Sequence, residues 1–596
     1  MYTTASLFFR TLSSYGITHA FVNWGSDHSA FLEDLQRQRL ESGDGTTLIE
    51  IVTCPSEYIA LSAAHGYALV TGRPAAVIVH VDVGTQSMAG AVHNADRGQV
   101  PIFIFSGGAP FSANGELRGS KNEYIMWLQD VPDQPAIVRQ YMRYTGQIHS
   151  PKNAAKVIAR ALQICTSQPK GPVYLWARRE VTDEEIDEEV LNAKVPFHKW
   201  PSVTLPALTS EVVDTITSAL CTASFPLIIT ACAGRNPAAV PLLTSLAAAL
   251  EVGVLTAFGA VVNIPYSDPH SLGYAFHGTL PHIADADAIL LLDTEVPWID
   301  VANAGPKPGA KVFVVNNDPL KRTHGWHHVD ADLVCVADAA TALAQLLAAA
   351  RADLTSPNPR LTAERLAARR AHIARLRTAH VDGLAEAERV PAAALADRPS
   401  VPAVLGALRA AADGQRRTVL FLNEAVSASG LVWNHLAPDA AGSMFMSGGT
   451  SIGWVLGGAI GACLGSQVRA RAGEGAGGFE LVVAVSGDGN FLFGVPTAAF
   501  WAARRYRAPF LTSPQFSISK DRLTVGFGDD SADYGGVAAA AGGAWSARVS
   551  RADALQATFE QAVKVVLEEK RCAVVECLVL LNYAACMNSL DFGFKG

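Results

Sequence analysis

The chain has 596 residues, 49% of them hydrophobic and 17% charged. That balance excludes a disordered polypeptide and calls for roughly three to five separately cored domains. A formal net charge of −8 leaves no basic footprint, so nucleic acid is excluded as a partner.

The chain opens on Thr3-Thr4-Ala5-Ser6-Leu7-Phe8-Phe9, which reads as the first amphipathic helix of a domain. Short apolar strands then alternate with Ala/Leu-rich helices, the pattern of parallel sheets covered on both faces. The first set of predicted strands is 19–23, 48–53, 76–81 and 102–106. The second is 227–230, 253–257, 288–292 and 312–316, and the third is 419–423, 481–486, 509–512 and 573–580. An acidic, then Pro-bearing stretch from Asp183 to Pro206 reads as a linker, and Ala337 to Arg398 as bridging helices. The predicted architecture is α/β, with three doubly wound parallel-sheet domains over 1–185, 205–350 and 395–582. No run approaches the ~20 apolar residues of a membrane span, so no membrane partner is expected. Nine cysteines without zinc-type spacing read as buried thiols of a reducing, cytoplasmic compartment.

Five segments carry chemistry. The first is Asn23-Trp24-Gly25-Ser26-Asp27-His28, at a strand end where α/β sheets place ligands. Ser26 suits a substrate contact or the cap of a helix beginning near Ser29. The second is Cys54-Pro55-Ser56-Glu57, leading into an Ala-rich helix that contains Ala64-His65-Gly66-Tyr67-Ala68. A carboxylate in that first turn is favoured by the helix dipole, and Glu57 is either a cap or a catalytic acid. The third is Val79-His80-Val81-Asp82, where His80 is either a core histidine or a proton carrier of near-neutral pKa. The fourth is Ser447-Gly448-Gly449-Thr450-Ser451-Ile452-Gly453-Trp454, a Gly-rich helix start. The fifth is strand 481–486 running into Gly487-Asp488-Gly489-Asn490, whose glycines open backbone N–H groups to a diphosphate and whose Asp can hold a hard cation.

In that order and over nearly the whole length, these segments resemble the thiamine diphosphate-dependent superfamily of acetolactate synthase, benzoylformate decarboxylase and pyruvate decarboxylase. The resemblance implies a pyrimidine-binding, a central and a diphosphate-binding domain, with thiamine diphosphate and Mg²⁺ as cofactors. It gives Glu57 the acid that drives the aminopyrimidine towards proton transfer, Ile452 the wedge between the cofactor's rings, and Gly449, Thr450, Gly487, Asp488, Gly489 and Asn490 the cradle. Asp488 is the implied metal ligand. Ser26 and His80 match the benzoylformate decarboxylase-like residues that act on the substrate carboxylate. A 2-oxo acid is the implied substrate, cleaved beside its carbonyl or ligated as by acetolactate synthase. The implied partner is a second copy, as a homodimer or homotetramer whose site combines two subunits.

One segment departs from the pattern. The family places Asn-Asn after the next strand, and no Asn lies between Asn490 and Lys520; by spacing Gln515 falls at the ligand position. The predicted strand 509–512 also stops on Ser513-Pro514 after four residues, which implies that about ten residues are missing there. On that ground a catalytically impaired paralogue is the remaining alternative. The central segment Ala231-Cys232-Ala233-Gly234-Arg235 is too thin to assign FAD, and that domain reads as structural.

Overall fold

A computed structural model describes residues 1–192, 195–275, 282–299, 305–321, 329–413, 418–473, 477–516 and 531–579. The architecture is three six-stranded sheets, each wholly parallel. The first contains β1 (His19–Val22), β2 (Glu50–Thr53), β3 (Ala75–Val79), β4 (Ile102–Gly108), β5 (Tyr144–Gln147) and β6 (Val173–Arg178). The central sheet contains β7 (Pro226–Thr230), β8 (Gly253–Ala257), β9 (Ser271–Ala275), β10 (Ala288–Leu292), β11 (Lys311–Asn316) and β12 (Leu333–Val336). The third contains β13 (Val419–Glu424), β14 (Met444–Phe445), β15 (Leu481–Gly487), β16 (Leu511–Phe516), β17 (Trp545–Val549) and β18 (Ala573–Leu578).

Interior strands such as β3 and β15 are near-continuous Val, Ile, Leu and Ala because both faces are buried. The sequence reading found four strands per sheet where the structure has six. Most of those missed lie at sheet edges and carry weak signals: β5 is Tyr-Thr-Gly-Gln, and β14 is two residues long.

The first and third sheets have the same connectivity, β2-β1-β3-β4-β6-β5 and β14-β13-β15-β16-β18-β17. The central sheet runs β9-β8-β7-β10-β11-β12, the other doubly wound order. In each outer sheet the strand order reverses beside the first strand. The chain leaving the C-terminal ends of β1, β3, β13 and β15 therefore meets at a crevice, where such folds bind ligands.

Four helices position that crevice. They are α1 (Glu57–Thr71), α2 (Val81–Ser87) and α3 (Ala89–Arg97) in the first domain, and α4 (Trp454–Ala472) in the third. α1 and α4 follow the second strand of their respective sheets and pack directly on each other. A Cβ on Gly461 would stand 1.8 Å from the Ala63 carbonyl oxygen, and one on Gly66 would stand 2.0 Å from that of Gly458. Glycine is required at both positions for backbones that close. One buried apolar cluster runs through this seam, from Val52, Ile59 and Val77 to Val455, Ala484 and Phe491.

The predicted short strand 509–512 is corrected here. β16 spans Leu511 to Phe516, a full strand in register with β15 from Val483↔Leu511 to Gly487↔Gln515. Ser513-Pro514 does not end it. The paired residues towards β18 skip Ser513 and Pro514 and resume at Gln515↔Cys577, as a residue without an N–H requires. The length argument for missing residues is thereby removed.

Candidate active site

After β1, residues Asn23 to His28 cross the sheet's C-terminal edge. Asn23 Nδ2 donates to Glu57 Oε1 at 3.0 Å. Glu57 is the first residue of α1, half-buried, with its carboxyl at the positive end of the helix. Gly84 on α2 leaves room for it, since a Cβ there would lie 3.3 Å from Oε1. Two residues past Asn23, Gly25 backs the ring of His80, where a Cβ would meet Nδ1 at 2.1 Å. Glu57 and His80 thus flank one short loop.

His80 follows β3, and its Nδ1–H donates to Asp27 Oδ1. Asp27 Oδ2 accepts from the Val81 N–H at 3.4 Å. Val81 is held at φ 24°, a conformation that costs a β-branched residue ~1–3 kcal/mol and fixes the direction in which His80 leaves the strand. Burial alone would lower the His80 pKa, but the hydrogen bond and charge of Asp27 outweigh it and hold it above the ordinary imidazole value. Burial likewise opposes ionisation of Asp27, and the charges of His28 and His80 pull it below the usual carboxylate range. Burial keeps His28 low, and its Nδ1 accepts the Gly25 N–H at 3.1 Å. Ligand-capable atoms of Asp27, His28 and His80 lie within 4.8 Å of one another. Both Nδ1 atoms already hold hydrogen bonds, and within the trio the Asp27–His80 pair is the one that can share a proton.

Ser26 is the half-buried first residue of the turn Ser26–His28, whose other two residues are buried. The following helix starts at Ser29 with His28 at its N-cap, so Ser26 is not that helix's cap.

The third domain supplies the opposite wall. Tyr58, next to Glu57, donates its hydroxyl to the Ile452 carbonyl at 2.6 Å. Its ring lies 6.0 Å from that of Phe493, at the end of the helical turn that Asp488 begins. Asn94 on α3 clamps Ser451 both ways, donating to its carbonyl at 2.8 Å and accepting its N–H at 3.1 Å. His93 Nε2 meets Thr450 Oγ1 at 3.1 Å. Gly449 leaves space for this clamp, since a Cβ there would lie 2.4 Å from Asn94 Oδ1.

β15 ends at Gly487, and Asp488 is nearly buried, with its Oδ1 accepting the Gly489 N–H at 2.7 Å. Beside it, a Cβ on Gly489 would find nothing within 4 Å. Asn490 Nδ2 donates to the Glu424 carbonyl at 2.8 Å. Gln515 pairs through its backbone with Gly487, next to Asp488, while its side chain lies outside the described residues.

The structure therefore brings Glu57, His80, Thr450, Ile452 and the 487–490 turn to one interdomain region within a single chain. The donor set suits the implied cofactor. A fixed carboxylate stands on one domain; a buried carboxylate beside an open glycine, and Ile452 held at its carbonyl by Tyr58, stand on the other. Within the 487–490 turn, Asp488 is the side chain whose carboxylate a hard cation would take. Sequence reasoning passed over Asn23, Asp27 and Tyr58 as parts of the site. Asn23 and Asp27 stood within a quoted strand-end motif, and Tyr58 beside Glu57.

Residues 2–137 match the family model described as "Thiamine pyrophosphate enzyme, N-terminal TPP binding domain". The chain is 25% identical to a benzoylformate decarboxylase of Pseudomonas aeruginosa over 522 residues, 85% of each chain. It is 22% identical to the acetolactate synthase large subunit of Lactococcus lactis over 309 residues, 50% of each. Its fold is similar to that of a 4-hydroxybenzoylformate decarboxylase of Rhodococcus jostii (TM-score 0.72, 18% identity, 97% of this chain and 99% of that one).

Proposed function

For a chain that belongs to the thiamine diphosphate-dependent enzyme superfamily, we propose cleavage of the carbon–carbon bond beside the carbonyl of a 2-oxo acid, in the manner of a decarboxylase. The observation that carries this reading is the Asp27–His80 pair, separated from the Glu57 acid by one loop at the same sheet edge.

When bound, thiamine diphosphate supplies the carbon nucleophile and the sink for the electron pair released as CO₂ departs. Glu57 and Asn23 would orient the pyrimidine: Asn23 fixes one carboxyl oxygen, and the other would be left to face the ring. Asp488, in the cradle of Gly487, Gly489 and Asn490, would hold Mg²⁺ against the diphosphate, with Gln515 as the second side chain. Gly449, Thr450 and Ile452 would bear on the ring pair. His80, its pKa held up by Asp27, would return a proton to the product carbon, and Ser26 would contact the substrate carboxylate. Self-association belongs to the reading through resemblance alone. A reducing, cytoplasmic setting accords with eight free cysteines among the described residues.

Product analysis tests the reading. Purified protein with thiamine diphosphate and Mg²⁺ is offered pyruvate or benzoylformate. Release of CO₂ with the matching aldehyde is the expected result. Acetolactate in place of acetaldehyde, with one CO₂ released for every two pyruvates, would make the activity carboligation, and no CO₂ from either 2-oxo acid would leave the impaired-paralogue reading.

A further inference from the structure

We infer that Glu424 is a positioning residue that holds the Ile452–Trp454 turn in its cofactor-gripping conformation, an inference that rests on the proposed function. Glu424 is the last residue of β13 and is 6% exposed. Its Oε1 accepts the Trp454 N–H at 2.9 Å and its Oε2 the Val455 N–H at 3.0 Å. One carboxylate thereby spans the first two N–H groups of α4. The helix has no side-chain cap of its own, because its N-cap is Gly453 at φ 93°. The carboxylate arrives from thirty residues earlier in the chain.

The turn it holds is enclosed on its other sides. A Cβ on Gly453 would meet the Gly494 nitrogen at 2.7 Å, and Ile452 is tied through its carbonyl to Tyr58. The Glu424 carbonyl takes Asn490 Nδ2, so this one residue links the Gly-rich segment to the Gly-Asp-Gly-Asn turn. Val426, two residues on, is held at φ 22°, which places strain where the chain leaves β13.

A helix of this kind is ordinarily capped by its own Ser, Thr or Asp, at no cost in buried charge. Burial pushes the Glu424 carboxyl up to about 8 against the pull of the backbone N–H groups, so this arrangement is the costlier one. Its gain is control of where Ile452 stands relative to Asp488 and Glu57.

The test compares wild type with Glu424→Gln and Glu424→Asp as full-length chains in saturating Mg²⁺. The readouts are the half-saturating concentration of thiamine diphosphate, kcat at saturating cofactor, and thermal unfolding without cofactor. Glu424→Gln keeps the shape but turns one N–H acceptor into a donor. It should raise the half-saturating concentration about tenfold or more while kcat stays within about threefold, the mark of lost binding geometry. Glu424→Asp should fall between the two, and it carries the comparison if the Gln variant does not fold. Unchanged cofactor affinity with a lowered unfolding temperature would make Glu424 a structural cap only and overturn the inference. Wild type that binds no thiamine diphosphate would instead overturn the proposed function, and this inference with it.

Discussion

Asp27 is the residue whose replacement separates a proton carrier from a packed histidine at position 80. Its hydrogen bond and charge are what keep the His80 pKa above the ordinary value against burial. A group raised in this way stays protonated to higher pH, and a step that needs its proton fades as pH climbs through that pKa. Asp27→Asn removes the charge and leaves burial opposed only by the Gln129 hydrogen bond and the charge of Asp82. The alkaline limb of kcat/KM should therefore move to lower pH by about one unit. A pH–rate profile measures this, and a limb that stays in place would remove His80 from proton transfer. The sequence singled out His80, Ser26 and Glu57 as candidates, through a family resemblance and their places at strand and helix ends. It could not find that Asp27 serves His80, since that pairing depends on a loop folding across two parallel strands 53 residues apart. Tyr58 was equally hidden, because its partner Ile452 is 394 residues away.

Among elements, the α1–α4 seam carries an unusual group. His65 is 1% exposed, with neither ring nitrogen hydrogen-bonded, and its ring lies 5.2 Å from that of Trp454. Burial lowers its pKa to about 3. The folded state keeps His65 neutral while the unfolded chain takes up a proton near the ordinary value. Its contribution to stability is therefore full above pH 6.5 and is lost as pH falls towards 3. From pH 7 to pH 5 this one histidine should cost about 2 kcal/mol. His65→Leu should flatten that part of the stability–pH curve in denaturant titrations. A variant with the wild-type slope would place the acid sensitivity elsewhere. Interior elements were legible in advance because strands buried on both faces are written as plain apolar runs. β16 was not, since a proline reads as a strand end unless the ladder it interrupts is visible.

For the whole molecule, the repeated connectivity of the outer sheets sets α1 and α4 face to face, and this pairing builds the site. Three α/β domains were evident from the alternation of strands and helices. Their mutual placement was not, because a seam of Gly66, Gly458 and Gly461 has no signature until both helices are in hand. The central claim is that Glu57 and Asp488, from opposite ends of the chain, serve one cofactor in different roles. Titration of the full-length protein with thiamine diphosphate in Mg²⁺, followed by circular dichroism alongside turnover, tests it most directly. Wild type should saturate, Glu57→Gln should bind but lose turnover by about a hundredfold or more, and Asp488→Asn should lose binding itself. Equal and full activity in both variants, or no saturation in wild type, would contradict the account.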